Sequence, residues 1–271
     1  MAAPIIELTA VDKTFESRAG TTEALRAISL VVEAGEFVSI IGPSGCGKSS
    51  LLRIVGDLVQ PSAGTVRVNG KSARQARLDR DYGIVFQTPV LYEWRTVLDN
   101  VKLPLELAGR PRDERARRPP ALLRLVGLEE FAGHHPWQLS GGMQQRVSIA
   151  RALALNPSIL LMDEPFGALD EMTRERLNQE LLQVCAETAA TVLFVTHSIA
   201  EAVFLSTRIV VMSPRPGHID RIVTVDLPHP RADKTRALPR FFELVTEVRQ
   251  SLREDPRLAG GPPGQEGSRA R

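Results

Sequence analysis

Cysteine is nearly absent from this sequence, and long hydrophobic runs are missing altogether. The 271 residues include two cysteines, Cys46 and Cys185, which is too few for a disulfide framework and favours a reducing cytosol. The longest apolar run, "SILLM", is far shorter than the roughly 20 residues of a membrane-spanning helix. The start, "MAAPIIELTAVDK", lacks the basic and apolar regions of a signal peptide. We therefore expect any membrane contact to come through a partner.

An excess of charge of one sign is missing as well. Lysine and arginine number 34 and aspartate and glutamate 32, which gives a formal net charge of +2. This balance gives no reason to expect a nucleic-acid partner, and we predict none. The basic run "GRPRDERARRPP" at 109–120 also holds acids and prolines, so we interpret it as a solvated linker. The hydrophobic fraction of 43% is sufficient for a sizeable core.

Short runs of β-branched and apolar residues recur along the chain. They are nearly continuous, which is typical of parallel strands covered on both faces. Helical patterns lie between several of them; over 171–188, Met172, Leu177, Leu181 and Val184 fall on one helix face. This alternation predicts an α/β fold. The runs are "FVSIIG" (37–42), "YGIVF" (82–86), "SILLMD" (158–163), "TVLFVTH" (191–197) and "RIVVMS" (208–213).

The segments outside these runs indicate further parts. "IIELTAVDKTF", "ALRAISLVVEAG" and "GTVRVNGK" predict a small antiparallel sheet with a turn at Asn69-Gly70. Residues 88–135 contain helix-like runs such as "ALLRLVGLEEFAG" and no clear strand, which predicts an inserted helical lobe. After the crossing "SPRPGH" come a strand-like run and the amphipathic "FFELVTEVRQSL". The predicted parts are a core (1–87 and 136–215), the lobe (88–135), a C-terminal extension (216–255) and a disordered tail (256–271).

A glycine-rich segment follows the first buried strand. "GPSGCGKS" fits G-x-x-x-x-G-K-[ST] between the strand "FVSII" and the helix "SLLRIVGDL", as this phosphate-binding loop requires. Its glycines let successive N–H groups turn toward a phosphate at the helix N-terminus, although a chance glycine turn is the alternative. Lys48 is expected to bridge the β- and γ-phosphates of a nucleotide, and Ser49 to offer its hydroxyl to Mg²⁺. The predicted phosphate-binding residues are Gly42, Pro43, Ser44, Gly45, Cys46, Gly47, Lys48, Ser49 and Ser50.

Three polar residues end two other buried strands. Asp163 and Glu164 follow "SILLM", and buried acids are costly unless they hold a metal, a proton or a partner. Asp163 is placed to anchor Mg²⁺, directly or through water, and Glu164 to polarise an attacking water. A helix-capping acid pair is the alternative. His197 ends "TVLFVT", where contact with the γ-phosphate and a structural role are both open.

A second glycine pair lies in "LSGGMQQR" at 139–146, although the chain already has a complete phosphate loop. With "GPSGCGKS", "LSGGMQQR", "ILLMDEP", "ALD" and "TH" in this order, the chain resembles the ATP-binding subunits of ABC transporters over roughly residues 5–215. The resemblance implies a RecA-like P-loop NTPase core with the antiparallel subdomain and helical lobe, hydrolysing ATP with Mg²⁺. An ordinary capped helix start is the alternative for "LSGGMQQR".

The resemblance also implies roles for single residues. Phe15 would stack on adenine, at a position where many relatives have tyrosine. Gln87 would reach Mg²⁺ and the attacking water, Glu164 would be the catalytic base, and His197 the switch histidine. The signature loop and D-loop residues would be Ser140, Gly141, Gly142, Gln144 and Asp170.

In this family two chains associate head to tail, and the signature loop of one caps the γ-phosphate held by the other. The resemblance thus implies a second ATP-binding subunit, which we predict to be an identical copy, and an integral membrane permease. The permease contact would follow Gln87 in "TPVLYEWRTVLDNV", with Tyr92 and Trp94 as anchors unless Trp94 packs within the lobe. The chain would lie peripherally on the cytoplasmic face of the inner membrane. Pro119-Pro120 interrupts a segment that is usually one helix in relatives.

Only the resemblance to a subgroup of the family indicates the substrate. "LYEWRTVLDNV" and "VVMSPRPGHI" resemble importers of nitrate, sulfonates, taurine and pyrimidine precursors, to which a solute-binding protein delivers a small anion or organic solute. The alternative is a non-transport ABC-type ATPase of DNA repair or the ribosome. Repair members separate the two loops by long coiled coils, and ribosomal members usually carry two cassettes. A small-molecule P-loop kinase would leave "LSGGMQQR" unexplained.

Overall fold

The computed structural model of the protein describes residues 4–17, 20–167 and 169–253. Its strands are β1 (Ile6–Ser17), β2 (Gly20–Val32), β3 (Phe37–Ile41), β4 (Ala63–Val68), β5 (Lys71–Ser72), β6 (Tyr82–Val85), β7 (Ile159–Asp163), β8 (Thr191–Val195), β9 (Arg208–Met212) and β10 (Ile219–Thr224). They form a four-stranded sheet in the order β2-β1-β4-β5 and a six-stranded sheet in the order β10-β9-β3-β8-β7-β6. The predicted tail at 256–271 lies outside the described residues.

Helices connect the strands and form the lobe between β6 and β7. None of the helices in the described part of the chain is long and apolar enough to cross a membrane. Two short 3-10 turns, Glu129–Phe131 and Pro136–Gln138, precede the helix that carries the second glycine pair. The helices are α1 (Lys48–Val55), α2 (Ala73–Asp79), α3 (Val97–Leu107), α4 (Arg112–Leu125), α5 (Gly141–Ala152), α6 (Glu171–Thr188), α7 (Ile199–Leu205), α8 (Asp233–Arg236) and α9 (Pro239–Arg253).

The six-stranded sheet is covered on both faces, as its apolar strands predict. Successive β7 side chains alternate between two hydrophobic clusters. Leu160 and Met162 pack with residues of the lobe and of α5 to α7 and α9. Ile159 and Leu161 pack on the opposite face with α1 and the four-stranded sheet. Strands β3, β6, β7, β8 and β9 run parallel, and β10 runs antiparallel to β9, so the α/β prediction is confirmed.

The antiparallel sheet at the N-terminus also matches its prediction. Strand β1 pairs antiparallel with both β2 and β4. Strand β4 turns into β5 through Asn69 and Gly70, whose φ angles are 51° and 70°. Both residues lie in the left-handed region, which is the geometry that a two-residue hairpin of this sequence favours.

The interpretation of 109–120 as a solvated linker is wrong. Most of this run forms α4, which continues through Pro119 and Pro120. A proline inside a helix costs about 3 kcal/mol because it lacks the N–H and clashes with the preceding turn. Packing offsets that cost here: Pro119 and Leu123 are buried, and Arg118 donates a 3.0 Å hydrogen bond to the carbonyl of Leu153. The expectation that the proline pair interrupts the lobe helix is therefore wrong as well.

Two other local expectations need correction. Leu177, Leu181 and Val184 are buried, but Met172, in the first turn of α6, is 84% exposed. Within "ALLRLVGLEEFAG" at 121–133, α4 ends at Leu125, and Gly127 adopts a φ of 65° before the 3-10 turn. A glycine in the left-handed region ends a helix readily, which explains why the run is not continuous.

The predicted C-terminal extension contributes to the core sheet. Strand β10 forms its edge, and α9 lays Phe241, Leu244 and Val248 into the same cluster as β9. The apolar residues of "FFELVTEVRQSL" that recur at helical spacing are thus the buried face of α9, whereas Phe242 is exposed.

We expect Gly83→Ala to destabilise the fold where α5 meets β6. A Cβ at Gly83 would lie 2.3 Å from the carbonyl oxygen of Ala152, and backbone at both sites leaves little room to shift. Overpacking of this kind lowers the free energy of unfolding by about 1–3 kcal/mol, measurable by urea denaturation. Gly133→Ala is the matched control because a Cβ there meets nothing within 4 Å. Equal stability of the two variants would contradict this packing.

Candidate functional site

The loop between β3 and α1 adopts a conformation that only glycine accommodates easily. Gly45 and Gly47 have φ angles of 76° and 104°. At Gly42, a Cβ would lie 2.8 Å from the carbonyl oxygen of Met212 in β9. Gly47 is the N-cap of α1 and has no side chain to cap it, so the N–H groups of the first turn remain available to an anion.

Lys48 lies across this loop. Its ammonium group donates hydrogen bonds of 2.9 Å to the carbonyl of Gly42 and 3.0 Å to that of Pro43. Cys46 is fully buried beneath the loop, and burial raises the pKa of its thiol. The Cys46 side chain therefore packs in the core as an uncharged thiol and anchors the loop there.

The loop forms one wall of a cleft of about 330 Å³. A second part of the lining comes from the antiparallel strands β1 and β2, where Phe15 pairs in register with Thr22. Phe15 is 39% exposed, and the ammonium of Lys13 lies 4.8 Å from its ring centroid, a cation–π distance. The lining residues are Phe15, Thr22, Ala24, Ser44, Gly45, Gly47, Lys48, Ser49, Ser50, Glu164 and Arg215.

Asp163 lies directly beside the loop. The hydroxyl of Ser49 donates a 2.7 Å hydrogen bond to its Oδ1, and Arg53 lies 4.0 Å from its Oδ2. Asp163 is 5% exposed and does not cap a helix; the N-cap of α6 is Asp170. The helix-capping interpretation of Asp163 and Glu164 is therefore wrong, and the hydroxyl–carboxylate pair is placed for a cation.

Glu164 and His197 meet at the end of the sheet. Their strands are neighbours, with Asp163 opposite Val195, and the Glu164 N–H donates to the Val195 carbonyl at 2.9 Å. His197 Nδ1 lies 3.2 Å from Glu164 Oε2. Glu164 has a φ of 45°, a strained conformation for a non-glycine residue that is common at functional sites.

The second glycine pair lies elsewhere in the same chain. Ser140 is the N-cap of α5 and accepts a 3.3 Å hydrogen bond from the N–H of Met143, so this segment is a capped helix start. Gln144 donates to the carbonyls of Pro136 and Leu139 and so orders the loop. None of these residues lines the cleft, although Ser140 and Gly141 are exposed.

Two further predicted residues also lie outside the cleft lining. Asp170 caps α6 by accepting a 3.0 Å hydrogen bond from the N–H of Thr173, and this bond lowers the pKa of its carboxyl. Gln87 is exposed just after β6, and the neighbouring Phe86 carbonyl accepts from the buried Gln145. Among the described residues, the cleft is therefore lined by the P-loop and the start of α1, by β1 and β2, and by Glu164 and Arg215, with neither Gln87 nor Asp170.

Two polar residues at or near this site, Arg215 and Glu201, are not predicted by any motif of the sequence. Arg215, in "SPRPGH", lines the cleft although that segment showed only a proline-rich crossing. Glu201 is buried in α7 and accepts a hydrogen bond from Thr196, the residue before His197. Burial raises the pKa of the Glu201 carboxyl. The only sequence signal for either residue was a charge set among apolar or proline neighbours.

Comparison with known proteins identifies the family. A family model described as ABC transporter matches residues 25–167. The taurine import ATP-binding protein TauB of Rhizobium johnstonii is 48% identical over 246 residues, which cover 88% of this chain and 92% of TauB. The chain belongs to the ABC transporter family. It is an ATP-binding, ATP-hydrolysing subunit of that family, as the motif order predicts.

Other relatives of this ABC transporter subunit carry related names. The nitrate import ATP-binding protein NrtD of a Synechocystis species is 42% identical and covers 92% of this chain and 95% of its own length. The aliphatic sulfonates import protein SsuB of Bacillus thuringiensis is 40% identical, with 91% and 95% covered. These names confirm the resemblance to the nitrate, sulfonate and taurine importer group.

Two similar solved structures show ABC cassettes as dimers. A bacterial ABC transporter cassette in dimeric form is 41% identical with a TM-score of 0.73, covering 81% of this chain and 98% of the cassette. A dimeric post-hydrolysis state of the same cassette, bound to ADP and Pi, has a TM-score of 0.72 at 40% identity. The P-loop NTPase fold predicted for this ABC transporter subunit is confirmed by this similarity.

Proposed function

We propose that this ABC transporter subunit closes with a second copy around two ATP molecules and thereby drives an importer permease. One observation carries the proposal: the P-loop cleft and the exposed N-terminus of α5 are two separate half-sites of one chain. In a twofold-symmetric pair, each half-site can meet its complement on the other chain, giving two complete sites. The dimeric form of the similar cassettes supports this arrangement.

Each chain holds the phosphates from one side. The main-chain N–H groups of the P-loop and of the first turn of α1 bind the phosphate oxygens, and Lys48 adds a positive charge among them. Phe15, which lines the same cleft from β1, offers an aromatic surface to the adenine. Gly42, Pro43 and Cys46 maintain the conformation of the loop.

The donor set beside the loop fits Mg²⁺. In the described part of the chain no group of three or more His, Cys, Asp and Glu forms a metal cage. Mg²⁺ usually takes one or two carboxylates together with substrate phosphates, and the Ser49 hydroxyl and Asp163 carboxylate are such hard oxygen donors. Gln87 is the third residue that we assign to this ion. When bound, Mg²⁺ neutralises charge on the phosphate oxygens.

Glu164 is the proposed general base. Its carboxylate orients a water against the γ-phosphate and takes up a proton, and His197, 3.2 Å away, fixes the carboxylate and contacts the same phosphate. Ser140, Gly141 and Gly142 of the second copy close the site, because the α5 N-terminus attracts a phosphate oxygen. Gln144 keeps that loop ordered, and Asp170 lies at the neighbouring N-terminus of α6.

The permease contact lies on the lobe just after Gln87. Trp94 is 74% exposed and its ring centroid lies 4.9 Å from that of Tyr92. Asn100, fully buried, holds this aromatic turn by donating to the carbonyls of Tyr92, Arg95 and Thr96. Exposed, rigidly held aromatics are typical anchors of protein interfaces. Through this contact the chain sits on the cytoplasmic face of the membrane.

The substrate class follows from the relatives. Those named for taurine, nitrate and aliphatic sulfonates support import of a small anion or organic solute, brought by a solute-binding protein. The non-transport alternative is not favoured, because the segment between Lys48 and Ser140 consists of short core elements, β4 to β6 and α2, and the lobe helices α3 and α4, rather than long coiled coils.

Affinity purification of the tagged protein from its own cells, in mild detergent, tests this function. We expect an integral membrane protein to co-purify, identified by mass spectrometry, without ribosomes or DNA. Trp94→Ala should reduce that recovery by about tenfold or more, since a central aromatic anchor contributes 2 kcal/mol or more. The ATPase rate of the isolated subunit should not change.

Phe242→Ala is the control for this prediction, because Phe242 is 59% exposed but lies on α9. Its recovery of the membrane protein should equal that of the wild type. Ribosomal proteins or DNA in place of a membrane protein would refute the transport function. Equal recovery with both variants would place the permease contact elsewhere.

A further inference from the structure

We propose that Arg215 is a nucleotide-binding residue of this subunit and binds the polyphosphate of ATP and ADP. The inference rests on the proposed ATP site and adds a positive charge that the phosphate-loop motif does not include. Arg215 lies in the 213–218 loop, "SPRPGH", between β9 and β10. It lines the same cleft as Lys48, Ser49 and Glu164.

The position of Arg215 follows from the strand order. Strand β9 is the neighbour of β3 and runs parallel to it, so the loops that follow both strands leave the sheet at the same edge. One of these is the P-loop, and the other is the 213–218 loop. The two touch: a Cβ at Gly217 would lie 2.0 Å from the carbonyl oxygen of Cys46, so only glycine fits there.

The 213–218 loop is held rigidly on its other side. Gly217 donates a 3.0 Å hydrogen bond to the carbonyl of Ala24, and the N–H of Arg26 donates to Gly217 at 2.9 Å. Within the loop, the N–H of His218 donates to the hydroxyl of Ser213 at 3.0 Å. The loop is thus fixed between the P-loop and β2, and a side chain that it carries needs little reordering to bind a ligand.

The guanidinium of Arg215 lies over the P-loop itself. Its Nε and Nη2 both donate to the carbonyl of Gly45, at 3.2 Å each. Among the described residues these are the hydrogen bonds of the group, which leaves Nη1 to donate elsewhere. A carbonyl oxygen at the mouth of an anion site would repel phosphate, and Arg215 both masks it and presents further N–H donors.

The balance of charged side chains that line the cleft supports a phosphate-binding role for Arg215. Of the charged side chains that line it, Lys48 and Glu164 compensate each other, and Arg215 supplies the remaining positive charge. A nucleoside triphosphate carries several negative charges, and guanidinium is well suited to phosphate oxygens. Because Arg215 is exposed, solvent screens it, so we expect a moderate effect rather than loss of the site.

The test compares Arg215→Ala and Arg215→Lys with the wild type in calorimetric binding of ATP, ADP and adenosine. For Arg215→Ala we expect affinity for ATP and ADP to fall by about five- to twentyfold and affinity for adenosine to stay the same. Arg215→Lys should recover part of the loss, because it keeps the charge but not the planar fork. The loss should shrink as salt concentration rises.

Arg67→Ala is the matched control, since Arg67 is exposed and donates to one loop carbonyl, that of Gly70, in the antiparallel sheet. It should bind all three ligands as the wild type does. If Arg215→Ala binds ATP normally, or loses adenosine as strongly as ATP, Arg215 does not bind the polyphosphate. A wild type that binds no ATP at all would instead refute the proposed function.

Discussion

Glu164→Gln is expected to abolish ATP turnover while leaving ATP binding intact. The amide keeps the size of the carboxylate and a hydrogen bond toward His197, but it cannot accept a proton from water. Loss of a general base lowers kcat by about 10²- to 10⁴-fold. Because ATP joins the two proposed half-sites and is no longer consumed, the variant should also accumulate as a dimer. Phosphate release and light scattering with and without ATP measure both effects.

A neutralised carboxylate far from the cleft is the control for this result. Glu243→Gln removes an exposed charge on α9 that pairs with Arg240. It should hydrolyse ATP at the wild-type rate and remain in the wild-type oligomeric state. If Glu164→Gln stays monomeric at saturating ATP, even with its permease present, the shared site is refuted. If it turns ATP over normally, Glu164 is not the base.

The strands of this fold could be predicted because their burial is uniform. Both faces of β7 and β8 are covered, so all of their residues except Asp163 and Thr191 are apolar and each run stands out from its surroundings. Helix α4 could not be predicted in this way, because its local sequence has two prolines and many charges. Its stability comes from contacts of Arg118 and Leu123 with distant segments. Met172 illustrates a second reason why a prediction from the sequence can fail. Helical periodicity assigns a face but does not say which turns of the helix reach the core.

Some residues of the candidate site could likewise be predicted from the sequence, and others could not. The P-loop is local, so its glycines, Lys48 and Ser49 could be predicted from consecutive residues. Asp163, Glu164 and His197 were predictable as polar ends of buried strands. Arg215 was not, because its approach to Gly45 depends on β9 lying beside β3 in the sheet. Strand order is a property of the whole chain, and no run of neighbouring residues encodes it.

Two inactive variants are expected to restore each other when mixed. Lys48→Ala removes the charge in the P-loop, and Gly141→Asp places a carboxylate at the N-terminus of α5. The aspartate favours the helix, so the variant should fold, but it repels a phosphate of the facing chain. A Cβ at Gly141 has no contact closer than the 4.0 Å to Leu169. Each variant alone should lose ATP-dependent dimerisation and about 10²-fold or more of its ATPase activity.

A mixed dimer contains one site with both defects and one with none. With two different affinity tags, we expect ATP to bring the two variants together with one bound nucleotide per pair. Because neither variant dimerises by itself, the dimers that form are mixed and each has one working site of two, so the activity should rise to at most about one half of the wild-type activity. Gly141→Ala, which adds no charge, should be active by itself. A site built within one chain predicts instead that mixing restores neither nucleotide binding nor co-purification, because no chain in the mixture has both loops intact.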